Sequence, residues 1–145
     1  MGGIIYKEQS YQIMGACFEV YSQMGTGFIE PVYHECLCLE LTARNIPFKS
    51  KPKLSAKYKH QVLNSYYEPD LICYDLIVLE LKAVSELHDA HRAQLHNYLK
   101  LSLLHLGILI NFCSHPKLHF ERIVRYDSSG TTKFTNSTKP ILQSR

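Results

Sequence analysis

No run of apolar residues in this chain is long enough to cross a membrane, and the opening MGGIIYKEQS lacks the apolar core of a secretion signal. Gly2 follows Met1, but Tyr6 stands where a myristoylation signal wants Ser or Thr. There is no CxxC pair, no HExxH, no P-loop and no Rossmann glycine fingerprint, so zinc ribbons, zinc proteases and nucleotide-cradling loops have no footing here. No internal repeat is visible. The expectation is a soluble, cytoplasmic protein.

What is present suits one domain. The chain has 145 residues, of which 46% are hydrophobic, enough for a core without staples. A net charge of +3 is too small to name a partner. Five cysteines form an odd set, mostly in apolar segments, and read as reduced thiols of a reducing compartment.

Apolar residues recur at helical spacing from Ile4 to Met24, through Met14, Cys17, Phe18 and Tyr21, until Gly25-Thr26-Gly27 stops the helix. A second helix is expected over Glu30–Arg44, with Pro31 in its first turn, Tyr33, Cys36 and Leu37 on its apolar face and Asn45 as its cap. From Pro47 the period changes. Phe48–Lys53, Leu54–Tyr58 and Gln61–Ser65 read as short strands, followed by a hairpin of Tyr66–Tyr74 and Leu76–Val84. The almost continuously apolar LIVLELKAV points to a central strand. A helix over Glu86–Leu104 with Ser85 as N-cap, a buried strand Gly107–Phe112 and a neighbouring strand Leu118–Val124 complete the order. The fold class is α/β, a mixed central sheet flanked by helices. Residues 1–126 read as the domain, and 127–145, rich in Ser, Thr, Lys and Asn, as a flexible tail.

Side chains alternate along a strand, so Glu80 and Lys82 share one face and Leu79, Leu81 and Ala83 the other. An acid and an amine in a buried strand are costly unless paired or bound to a metal. A plain structural Glu–Lys pair is the simple reading. Asp70, ten residues before Glu80, adds a second acid. A three-residue turn over Tyr74–Leu76 places Asp70 opposite Glu80, whereas a two-residue turn at Tyr74-Asp75 turns it away. A three-residue turn, or a bulge restoring parity, is therefore predicted. Two carboxylates on one face repel unless a cation bridges them, and oxygen ligands suit Mg²⁺ or Mn²⁺. Gln94 and Tyr98, spaced i, i+4, share a helical face. Glu30 opens the second helix, where an acid is favoured by the helix dipole alone.

Lys49, Lys51 and Lys53 alternate, followed by Lys57, Lys59 and His60. They fit a phosphate-gripping ribbon or a lysine-protected edge strand, and the two readings can coexist. His88 and His91 flank Asp89, but no zinc-ligand spacing surrounds them. Most of the ten tyrosines read as half-buried packing residues, some able to stack on bases.

Gly27-Phe-Ile-Glu30-Pro-Val-Tyr33 resembles the signature of the GxxExxY family within the PD-(D/E)XK nuclease superfamily. Pro69-Asp70, Glu80-Leu-Lys82 and Gln94-Leu-His-Asn-Tyr98 resemble the superfamily core and the QxxxY motif of its RecB-like branch. ExK alone is common; four pieces in order over Ile4–Val124 are specific. The resemblance implies a restriction-endonuclease-like core that hydrolyses nucleic-acid phosphodiesters, DNA first, with Mg²⁺ (or Mn²⁺). It implies that Asp70, Glu80, the Leu81 carbonyl and Glu30 serve the metal and that Lys82 orients the attacking water. Gln94 and Tyr98 would position substrate, with Lys49 and Lys51 as further substrate contacts. A homodimer or a protein partner could supply specificity. The alternative is a non-catalytic nucleic-acid-binding or protein-interaction module of the same fold.

Overall fold

The structure is a computed structural model in which residues 4–126 are described. The tail expected over 127–145 lies outside the described residues. Two helices come first, α1 (Lys7–Met24) and α2 (Glu30–Ala43). Five strands follow: β1 (Phe48–Ser50), β2 (Leu54–Tyr58), β3 (Gln61–Tyr67), β4 (Leu71–Cys73) and β5 (Ile77–Lys82). Then come α3 (Asp89–Ser102), β6 (Leu106–Asn111) and β7 (His119–Val124). One five-stranded sheet runs β1-β4-β5-β6-β7, while β2 and β3 pair only with each other. β5 and β6 are parallel and the other pairs of the large sheet antiparallel. This is the mixed, helix-flanked sheet that the sequence pattern calls for.

The helices form where apolar residues make a stripe. Ile13, Met14, Cys17 and Val20 of α1 and Tyr33, Leu37 and Leu41 of α2 are buried against one face of the sheet. α1 ends because Gly25 takes φ +71° and its N–H returns to the Tyr21 carbonyl at 2.8 Å. It starts at Lys7 rather than Ile4, after Tyr6 in the left-handed region. Phe18, counted in the α1 pattern, is half-exposed and meets Phe120 edge-on.

β5 sits between two cores, which is why its sequence is so apolar. Ile77, Leu79 and Leu81 face α1 and α2. Val78 faces α3 with Ile72, Leu95, Leu99 and Leu109. Gly107 of β6 lets α3 approach closely, since a Cβ there would stand 2.7 Å from Leu95.

Two expectations need correction. The first arm of the predicted hairpin is not continuous from Tyr66 to Tyr74. Pro69 has no N–H to give a ladder, so the chain breaks at Glu68–Asp70; β3 joins the small sheet and β4 the large one. The N-cap of α3 is His88, not Ser85: Leu87 is drawn into the core first, and His88 and His91 then form a reciprocal capping box.

Candidate active site

The turn between β4 and β5 fixes the geometry of the site. Cys73 pairs with Ile77, leaving Tyr74, Asp75 and Leu76 as a three-residue connection. Tyr74 and Asp75 both take positive φ, as in a type I′ turn, and Leu76 is the extra residue that restores parity. Leu71 lies opposite Leu79, so the same register carries Asp70 to Glu80. Backbone bonds fix both acids. The Asp70 N–H donates to Glu80 Oε1 at 3.0 Å, and the Leu81 N–H donates to Asp70 Oδ2 at 2.7 Å.

Glu80 is only 5% exposed. Burial, then the Asp70 carboxylate, pushes its pKa up to about 8, against the opposing pull of the Asp70 N–H and Lys82. Lys82 Nζ stands 3.9 Å from Glu80 Oε2 and donates to Gln94 Oε1 at 3.4 Å. Tyr98, one turn beyond Gln94, is buried with its ring 6.2 Å from Tyr67. Its hydroxyl is held neutral by burial and by the Glu80 and Asp70 carboxylates nearby.

On the other side of Asp70, α2 brings Glu30 to a hollow lined by Glu30, Pro31, His34, Lys51, Asp70 and Leu81, with a volume near 90 Å³; Glu80 and Lys82 are not among its lining residues. Tyr33 explains why this helix begins where it does. Its hydroxyl donates to the Gly25 carbonyl and accepts from the Phe28 N–H, and its ring stacks on Phe112 at 4.7 Å. The tyrosine thus pins the glycine turn that presents Glu30. His34 went unnoticed in the sequence. Its Nε2 stands 3.1 Å from the Asp70 carbonyl and 3.2 Å from Ser50 Oγ. The available signal was its i+4 spacing from Glu30 on one helix.

Lys51 joins the hollow, its N–H bonded to the Asp70 carbonyl at 2.9 Å. Lys49 does not; it pairs with Asp75 at 3.2 Å beside the β4–β5 turn. All five cysteines are unpaired, with Cys17 and Cys73 buried and the other three half-buried. Among the described residues no helix is long and apolar enough to cross a membrane.

Among the described residues, no group of three or more His, Cys, Asp and Glu side chains forms a metal centre. The oxygen donors present are the Asp70 and Glu80 carboxylates, with Glu30 lining the hollow beside Asp70, and hard donors of this kind suit an ion keeping several waters. The raised pKa of Glu80 reflects negative charge in a dry place without enough compensation, and a divalent cation relieves that. The residues fit such an ion.

A separate ion pair ties α3 to the sheet edge. Arg92 donates to both oxygens of Glu121, at 2.7 and 2.8 Å. Arg92 holds the Glu121 carboxyl down to about 2. A depressed carboxyl contributes stability above its unfolded value of 4.5 and loses it as pH falls toward 2. Glu121→Gln should therefore lower the melting temperature at pH 7, and the gap from the parent should close between pH 4.5 and 2. A gap constant across that range in thermal melts would refute the assignment.

No curated protein matches the sequence. The solved structure titled "Crystal structure of SSO0001" is similar in fold, with a TM-score of 0.53 and 20% identity over 86% of this chain. This chain spans 60% of that one. The protein-family model of the PD-(D/E)XK nuclease superfamily matches residues 7–123, from the start of α1 almost to the end of β7. A match of that family model over residues 7–123, most of the chain, makes this chain a member of the PD-(D/E)XK nuclease superfamily.

Proposed function

We propose that the chain is a Mg²⁺-dependent nuclease that hydrolyses DNA phosphodiester bonds, within the GxxExxY group and close to the RecB-like branch. Membership of a nuclease superfamily whose enzymes generally use divalent metals supports the reaction class. The observation that carries the reading is the convergence of Asp70, Glu80 and Lys82, with Glu80 buried and its acidity suppressed.

Asp70, Glu80 and the Leu81 carbonyl would hold the ion, with Glu30 reaching it from α2. When bound, the ion supplies Lewis acidity and a water of lowered pKa. The chain's own groups do the rest. Lys82 orients the attacking water and offsets charge on the phosphate oxygens. Gln94 holds Lys82 in place, Tyr98 braces the floor, and Lys51 contacts a phosphate at the mouth. Residues 1–126 act as the catalytic domain, with 127–145 appended. A second copy or a partner protein supplies selection of target, and the unpaired cysteines suit a cytoplasmic setting.

The test is cleavage of supercoiled, linear and single-stranded DNA and of RNA, with Mg²⁺, Mn²⁺ or EDTA. The Asp70→Asn protein is run in parallel. Cleavage of DNA that needs the metal and is lost in Asp70→Asn is expected. Inert wild-type protein on every substrate sinks the reading and leaves a binding module of the same fold.

A further inference from the structure

We propose that the β2–β3 hairpin is an arm that holds a single-stranded stretch of nucleic acid and leads it to the hollow beside Asp70. The inference rests on the nuclease reading for what the hollow does, but not for what the arm binds. Three observations carry it: composition, exposure and position.

From Lys51 to Tyr67 the chain has four lysines and a histidine and no acid. Among the described residues, Lys53, Lys57 and Lys59 take part in no ion pair. Two of them lie over tyrosine rings instead: Lys53 Nζ is 4.6 Å from the centre of Tyr66, and Lys59 Nζ is 5.5 Å from that of Tyr58. A lysine edge meant only to block aggregation has no use for apolar rings beside it.

The exposure is unusual for a strand. Every residue of β3 is exposed. Tyr58 is 65% exposed and Tyr66 and Val62 46% each. The register sorts them. Lys57 lies opposite Val62, and Tyr66 opposite Ser55, so Lys57, Val62 and Tyr66 share one face. The other face carries Leu54, packed into the core beside α3, and Tyr67, which meets Tyr98. One face therefore anchors the hairpin through Leu54 and Tyr67, while Tyr58, on the Leu54 side by alternation, is exposed near the hairpin's end. On the other face, interrupted by a bulge between Ser55 and Lys57 and with Ser55 buried, the Tyr66 ring and the Lys53 and Lys57 ammonium groups face solvent. This is the pairing that a single strand needs, because unpaired bases have open π-faces and its phosphates follow at regular intervals. Duplex DNA hides its base faces and would use only the lysines.

Position supplies the direction. The arm is rooted at the hollow at both ends. Lys51, just before it, lines the hollow and bonds the Asp70 carbonyl at 2.9 Å. Tyr67, its last residue, is followed by Glu68-Pro69-Asp70. A strand lying along Tyr66 and Lys53 reaches Lys51 and then the carboxylates.

The test measures binding apart from cleavage, by fluorescence anisotropy of a labelled 20-residue oligo-dT and a 20-base-pair duplex in EDTA, with the full chain. Tyr66→Ala should weaken oligo-dT binding by about fivefold or more. It should leave the duplex nearly unchanged, and Tyr66→Phe should restore binding. Lys53→Gln with Lys57→Gln should weaken both ligands and flatten the salt dependence for oligo-dT by about 1.4 in log–log slope. Melting temperatures near the parent's are required of each variant, and the outward-facing positions make that attainable. Wild-type affinity for oligo-dT in the Tyr66→Ala and double-lysine proteins overturns the proposal. So does equal weakening of both ligands by Tyr66→Ala, or a fall from dimer to monomer by light scattering without a change in binding, which would make the occupant a second copy. If wild-type protein cuts nothing yet binds oligo-dT through Tyr66, the nuclease reading fails and the arm stands. If it cuts DNA and the variants bind normally, the arm alone fails.

Discussion

On the proposed nuclease activity, Lys82→Met should lower the cleavage rate by about 10²- to 10⁴-fold while leaving metal affinity intact or improved. The side chain is 14% exposed and stands 3.9 Å from Glu80 and 3.4 Å from Gln94. Its ammonium group is thus held between Glu80 and Gln94, and on the proposed mechanism it would face the attacking water and a phosphate oxygen. Methionine keeps the apolar stem and removes only the charge. A merely structural lysine predicts a different result, namely a lower melting temperature with the turnover of the folded, metal-loaded protein near the parent's. A catalytic lysine predicts a drop in turnover alone, since a positive charge beside a divalent cation opposes its binding. Single-turnover cleavage and Mn²⁺ titration by calorimetry separate the two. A rate within about threefold of the parent would remove Lys82 from the chemistry.

Glu80→Gln should stabilise the metal-free protein at pH 8 and, on the proposed metal site, abolish tight metal binding. In the folded chain the carboxyl is raised from 4.5 to about 8, first by burial and then by Asp70. The sign is opposite to that of an ordinary paired carboxylate. Below pH 4.5 the acid is protonated in both states and costs nothing. As pH rises toward 8 the unfolded chain ionises and the folded chain resists, so stability is lost across that window. Glutamine never ionises, and it should gain roughly 2–4 kcal/mol at pH 8 and much less at pH 4.5. Denaturant melts in EDTA at the two pH values measure this. Adding Mn²⁺ should stabilise the parent and release a proton at pH 7, and do neither in Glu80→Gln. A variant equally stable to the parent at pH 8 would mean that Glu80 is not strained by its surroundings.

The convergence of Asp70, Glu80 and Lys82 was legible in the sequence, for reasons that can be named. Strand alternation ties Glu80 to Lys82 without any knowledge of the fold. Parity of the turn tied Asp70 to Glu80: only an odd connection faces them, and Tyr74–Leu76 provides it. Helical spacing put Gln94 with Tyr98. What local pattern could not reach was distance between elements. Lys49 and Lys51 look equivalent in sequence, yet the first pairs with Asp75 and the second lines the hollow. His34 reaches the Asp70 carbonyl only because α2 packs across β4 and β5. The break at Pro69 was readable from its missing N–H, but the assignment of β3 to a separate sheet was not, because β3 carries a strand pattern either way.

The sequence by itself determined the α/β class, the central position of LIVLELK and the shared face of the acids and the lysine. Each follows from short-range rules: alternation, helical period and turn parity act between residues close in the chain. The tertiary structure alone decided that Glu30 meets Asp70 and that Tyr33 pins the glycine turn presenting it. It also decided that β2 and β3 form a sheet of their own, packed through Leu54 and Tyr67 beside α3. Those contacts join segments whose separation in sequence carries no signal, and they exist because both faces of one sheet had to be covered at once.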